Sequence, residues 1–270
     1  MEISSTDPYA VQRVRHTLKA RLLQVRHVAA ISQNLVRITL TGELDDFTSA
    51  SFDDHVKVFL PDGDALPVIP TIGPNGPSYP EGVQRPTMRD YTPRNYRAES
   101  NELDIDFVLH DHGPAGLWAS QAKPGQHLGI AGPRGSFVIP DNFEWHLLIG
   151  DETALPAIAR RLEELPSGTR VIALIEISAP EHRIALDTAT DATIQWVEHA
   201  SESAESLLVQ AVRDTPLPEG EGFIWAAGES SVVKAVRHHL VAERGVDKAR
   251  IRASSYWRRG DVGSHEVIED

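Results

Sequence analysis

The residues best equipped for chemistry lie in one short string, Arg89-Asp90-Tyr91-Thr92-Pro93-Arg94. Along an extended segment alternate side chains share a face, so Arg89 and Tyr91 point the same way, and the backbone turns at Pro93. A flat aromatic ring, a hydroxyl and two guanidinium groups then lie within one string. That set suits a planar cofactor with a phosphate tail: packing for the ring, donors for its heteroatoms, cations for the diphosphate. A flavin has these needs.

A second string, Asp111-His112-Gly113-Pro114-Ala115-Gly116-Leu117-Trp118-Ala119, follows a strand that ends near His110. It reads as a turn entering a short helix, with Pro114 at the first helical position, where its missing donor costs nothing. Backbone donors at such a helix start can cradle a diphosphate. His110 and His112 lack further ligands at metal spacing, so no metal site is expected.

Two halves of the chain must position these strings. From about Ala20 to Ser136 the apolar runs are short and alternating. Leu35–Leu40, His55–Leu60 and Leu103–Leu109 read as strands, the last with Leu103, Ile105, Phe107 and Leu109 on one face. Short strands separated by turns predict an antiparallel β-barrel. Pro61 to Pro86 holds seven prolines and four glycines and is expected to be a long surface loop without regular structure.

From His146 onward, expected buried strands (147–149, 171–177, 194–197, 223–226) alternate with amphipathic helices (154–165, 204–213, 231–243). That succession predicts a doubly wound parallel sheet. The boundary falls near Pro140-Asp141-Asn142, giving a barrel domain over 1–140 and an α/β domain over 141–270.

Composition narrows the chemistry. The chain has no cysteine, which excludes thiolate-bound clusters and cysteine nucleophiles, so any redox work needs a non-protein cofactor. A net charge of −13 argues against nucleic acid as a partner. Yet Lys234 to Gly260 carries eight cations and two acids, a basic segment suited to an anion. No apolar stretch is long enough to insert in a membrane, and the polar N-terminus has no signal-peptide core, so the expected location is the cytoplasm.

These strings occur in order with Ala131-Gly132-Pro133-Arg134-Gly135-Ser136, Asp151-Glu152-Thr153-Ala154-Leu155-Pro156-Ala157 and Tyr256-Trp257-Arg258-Arg259-Gly260. The combination, from roughly Val25 to Gly260, resembles the siderophore-interacting protein family of ferric-siderophore reductases. The resemblance implies that Arg89, Tyr91, Thr92 and Arg94 hold the isoalloxazine ring and ribityl phosphate of FAD. It implies a pyrophosphate site in the string running from Val108 and His110 through His112, Gly113, Pro114 and Ala115 to Trp118. It also implies that Thr153 faces the flavin where nicotinamide stacks, and that Trp257 and Arg258 close the site.

One departure stands out. The first strand–helix turn of the second half reads Gly150-Asp151-Glu152-Thr153 rather than a glycine-rich loop, and two acids there repel a diphosphate. Nicotinamide binding should therefore use later loops, 178–183 and Gly228-Glu229-Ser230. His182 and Arg183 could pair a 2′-phosphate, which favours NADPH over NADH.

The expected function is a reductase that passes electrons from NAD(P)H through FAD to iron in a siderophore. Arg252, Arg258 and Arg259 would draw in the anionic chelate. Iron needs no protein ligand because the siderophore fills its coordination sphere, and hard oxygen donors release it on reduction. Two other readings are a general NAD(P)H- or ferredoxin-linked flavin electron-transfer protein and a non-catalytic siderophore-binding protein.

Overall fold

The computed structural model describes residues 7–110, 113–199, 206–260 and 266–268. The expected cofactor ligand His112 lies outside the described residues, as does the start expected for the helix at Ala204. Among the described residues, those from Gln12 to Val138 form one compact unit, and those from Ile139 onward, with residues 7–11, form a second.

The first unit contains β1 (Gln12–Arg15), β2 (Ala20–Ala30), β3 (Leu35–Thr41), β4 (Val56–Phe59), β5 (Thr71–Gly73) and β6 (Gly76–Ser78). It continues with β7 (Met88–Tyr91), β8 (Asn95–Arg97), β9 (Glu102–Val108), helix α1 (Pro114–Gln121), β10 (His127–Ala131) and β11 (Gly135–Val138). Seven strands make one antiparallel sheet in the order β7-β4-β10-β2-β3-β9-β8. Tyr91 on β7 and Phe107 on β9 stand first and sixth in that order, yet their ring centroids are 4.3 Å apart. Such contact requires the sheet to curl around its core. The expected barrel is an open one, ended by β7 and β8 among the described residues.

Alternation on β9 buries Leu103, Ile105 and Phe107 as expected. The other face, which such alternation ordinarily leaves to solvent, is buried too: Asp104 and Asp106 are only 3% and 4% exposed. Arg37 grips both Asp106 oxygens, at 2.7 and 2.8 Å, and Arg94 Nε lies 3.7 Å away. Arg97 grips Asp104 at 2.5 and 2.9 Å, and the Thr39 hydroxyl donates to it at 2.7 Å. Burial pushes the Asp104 carboxyl up, but the bonds from Arg97 and Thr39 outweigh it and leave the group below the usual carboxylate range.

The segment expected to lack regular structure contains the hairpin β5–β6, in which Pro77 pairs with Ile72. A two-stranded ribbon has two edges and tolerates the missing donor there.

The second unit contains β12 (Trp145–Gly150), α2 (Leu155–Glu164), β13 (Arg170–Ile177), β14 (Asp191–Glu198), α3 (Leu207–Asp214), β15 (Gly222–Glu229), α4 (Ser230–His238), β16 (Ile251–Trp257) and β17 (Glu266–Val267). The sheet order is β14-β13-β12-β15-β16-β17; β17 alone is antiparallel to its neighbour. The chain starts in the middle, winds outward through β13 and β14, then crosses to β15 on the other side. The order reverses between β12 and β15, the position where sheets of this kind bind ligands. Those two central strands are buried throughout. β14 was expected to be buried, but as the edge strand it alternates between exposed and half-buried residues along most of its length.

His146, on central β12, is 1% exposed, and its Nε2 has no hydrogen-bond partner among the described residues. Burial, aided by the charge of Arg161, lowers its pKa from 6.5 to about 3. Between those values the unfolded chain takes up a proton that the folded chain refuses. Stability should therefore fall as pH drops from 6.5 towards 3, by at most about 1.4 kcal/mol per pH unit from this group. Denaturant unfolding at stepped pH should show this slope reduced in His146→Leu, and an identical slope would acquit the histidine.

Candidate functional site

In the first unit, β4 holds the Arg89–Arg94 string in register, pairing Val58 with Arg89 and Val56 with Tyr91. Arg89 and Tyr91 are half-buried; Thr92, Pro93 and Arg94 are buried. The Arg89 guanidinium donates to the Met88 carbonyl at 2.7 Å. Arg94 is fixed by its backbone N–H to Asp104 and by its side chain beside Asp106. Burial pushes the Tyr91 phenol well above its ordinary range, against the pull of Arg89, so the ring stays neutral.

Tyr91 leads into a row of rings: Phe107 packs against it, and Trp118 of α1 lies 5.8 Å beyond Phe107. This row ties the string to the helix start. Val108 is buried at the end of β9, and His110 beyond it is exposed. α1 can sit directly on that strand end because Gly116 has no side chain; a Cβ there would lie 3.0 Å from the His110 nitrogen and 3.2 Å from the Val108 oxygen. Pro114 occupies the first turn as expected, and Ala115 is buried. The cap residue Gly113 offers no side-chain acceptor, and a Cβ on it would meet nothing within 4 Å. Ring surface, hydroxyl, two cations and an uncapped helix start in open space are the donor set a flavin dinucleotide requires.

In the second unit, the carboxyl end of β12 carries Asp151, which is buried. One oxygen accepts from the Thr153 backbone at 2.9 Å and the Thr153 hydroxyl at 2.5 Å. The other accepts from the Glu229 backbone at 2.9 Å and the Trp257 indole at 2.8 Å. Burial raises the carboxyl pKa, while these bonds pull it back. Gly228 makes room for this: its φ is +145°, and a Cβ would approach Asp151 Oδ2 to 2.6 Å. Glu229 in turn caps α4 through the Ser231 and Val232 backbone, and its other oxygen accepts from the Arg259 backbone.

The other expected nucleotide contacts are already engaged. His182 Nδ1 lies 2.6 Å from Glu152, which also accepts from Ser178, and Arg183 pairs with Glu198 at 2.8 Å. The Thr153 hydroxyl is held by Asp151. The three arginines expected to receive an anion are not one cluster. Arg252 sits at the start of β16, whereas Arg258 and Arg259 lie beyond its end, roughly 20 Å further along at strand rise. The basic segment as a whole disperses. Arg237 is buried in α4, and Arg250 stacks on Tyr9 and Phe143 and pairs with Glu221. Arg258 and Arg259 remain exposed.

The sequence reads Asp151 as a charge that suits a helix start and repels phosphate, and does not reveal its role as an acceptor. The available signal was the pairing of an acid after one apolar run with a glycine after another.

Two family models match the chain: the siderophore-interacting FAD-binding domain over residues 24–137 and the siderophore-interacting protein model over 143–260. The NADPH-dependent ferric-chelate reductase of Escherichia coli (strain K12) is 41% identical over 93% of this chain and 97% of that protein. The ferric vibriobactin reductase of Vibrio cholerae is 36% identical over 89% of this chain and 90% of that one. The crystal structure of a siderophore utilization protein from T. fusca superposes with a TM-score of 0.86 at 37% identity, covering 94% of this chain and 98% of that chain.

Gly228→Ala should force either the φ of residue 228 or the Asp151 carboxylate out of place. The expected loss is about 1–3 kcal/mol, measured by denaturant unfolding. A variant as stable as the parent would show that the carboxylate is not held as described.

Proposed function

Because the chain belongs to the siderophore-interacting protein family, we propose that it is a flavoprotein reductase that passes electrons from NADPH through FAD to ferric iron in a siderophore. The relatives' names supply the donor and the substrate class. The observation that best supports the reading is local: the Tyr91–Phe107–Trp118 row brings the Arg89–Arg94 string and the start of α1 to one end of the open barrel. On this reading the protein works in the cytoplasm; among the described residues no helix is long and apolar enough to cross a membrane.

Bound flavin supplies what a chain without cysteine cannot, the exchange of a hydride pair for single electrons. The side chains bind and orient. Tyr91, kept neutral by burial, offers a flat face, and the Thr92 hydroxyl a donor. Arg89 and Arg94 would hold the phosphates by charge, and the first turn of α1 would offer its N–H groups to the diphosphate. Asp106 keeps Arg94 from swinging away. Arg258 and Arg259, exposed past the end of β16, give an acidic protein a local attraction for an anionic chelate.

The purified protein should be yellow, should release FAD rather than FMN on denaturation, and should bleach anaerobically with NADPH and recover on adding a ferric siderophore. FMN alone, or no bleaching with either nicotinamide, would sink the reading. Arg89→Ala should weaken flavin retention by roughly 1.5–3 kcal/mol, the value of one charge-assisted hydrogen bond. Unchanged occupancy would remove Arg89 from the cradle.

Replacing both Arg258 and Arg259 with Ala should raise KM for an anionic ferric siderophore and leave flavin content intact. Salt screens surface charge over about 8 Å at physiological ionic strength, so the parent's rate at low substrate should fall as salt rises. The double variant should respond much less. Equal salt responses would assign these arginines another role.

A further inference from the structure

Asp151 lies at the reversal of strand order between β12 and β15, where a ligand of this sheet would enter. Its carboxylate accepts four hydrogen bonds, two per oxygen. Three strand ends meet there: β12 supplies the acid, β15 the Glu229 N–H and β16 the Trp257 indole. For its N–H to reach Asp151, the Trp257 side chain must cross the end of β15, over the bare Gly228. The indole is held by its nitrogen while 38% of the residue stays exposed. An aromatic surface fixed at the mouth of a ligand crevice has its ordering cost met before any ligand arrives, and this raises affinity.

We propose that Asp151 is a positioning residue for the nicotinamide dinucleotide, acting by holding the Trp257 indole and the Gly228-Glu229 turn in their binding arrangement. The proposal rests on the donor reading above and adds the part of the chain that preforms the donor's site. Asp151 does not touch the reacting atoms in this account. Its two oxygens matter because each of the four groups bonded to them is a donor. An amide in its place has one acceptor oxygen and turns an NH2 towards two N–H groups or towards Thr153.

The test uses the full chain in three variants, Asp151→Asn, Trp257→Phe and the double, with NADP+ binding measured by calorimetry. The chain has five tryptophans, and 5-fluorotryptophan labelling gives each a 19F signal; that of Trp257 is the one lost in Trp257→Phe. Asp151→Asn should move the Trp257 signal and leave the other tryptophans in place. Each single variant should weaken NADP+ binding about tenfold, the equivalent of one hydrogen bond to a charged group. The double should be no worse than either, because both remove the same link. Unchanged NADP+ affinity in Asp151→Asn, or effects that multiply in the double, would overturn the proposal. Should Asp151→Asn fail to fold, Trp257→Phe decides alone. It leaves the other three bonds to Asp151 in place, and an unchanged affinity refutes the role. A parent that binds no NADP+ overturns the donor reading and this proposal together, whereas binding by the parent with unaffected variants overturns only the latter.

Discussion

A carboxylate buried at the end of a central strand must find donors, and the α/β unit is arranged around that demand at Asp151. An ionised group left unpaired in the interior costs several kcal/mol. The four donors around Asp151 come from the start of α2, the end of β15 and the end of β16, so satisfying one side chain aligns three elements. Gly228 follows from the same demand, since any side chain there would occupy the space of the carboxylate. Glu229 extends the arrangement by capping α4 and accepting from the Arg259 backbone. A turn that looks hostile to phosphate is therefore the fastening of the sheet's carboxyl edge.

The antiparallel unit meets a similar demand differently. β9 carries aspartates between its apolar residues, and the curled sheet leaves them little solvent. Arginines on β3 and β8, with Arg94 between β7 and β8, cover them. Arg94 thus serves two masters: its side chain stands beside Asp106 and belongs to the string proposed to hold flavin phosphate. A group already fixed by its neighbours loses little freedom when a ligand binds, which favours an orienting role.

Charge counted along the chain proved a poor guide to charge in space. The basic C-terminal segment is split between a buried helix face, a cation–π stack under the N-terminal residues and an exposed pair past β16. His182 and Arg183 are likewise occupied by Glu152 and Glu198. The proposed preference for NADPH rests on the name of the relative rather than on these two side chains.

Periodicity and motif order were enough, from the sequence alone, for the antiparallel-then-parallel architecture and the family, and they marked the Arg89–Arg94 and Gly113–Ala115 strings as candidates. Those signals are local: alternation reports a strand with one apolar face, and a proline at a helix start needs only its own turn. β2 was missed because Arg21 sits on its inward side, covered by Asp46, and breaks the alternation. The edge position of β14 and the hairpin inside the proline-rich loop depend on which strands become neighbours, which no local pattern states. The Asp151 hub joins residues 78 and 106 positions away, and the buried aspartates of β9 are paired by Arg37 of β3, opposite Asp106, and by Arg97 of β8, which reaches Asp104 from the neighbouring pair. Whether a charged side chain repels a ligand, caps a helix or ties strands together is set by the donors around it, and only the tertiary structure brings those donors near.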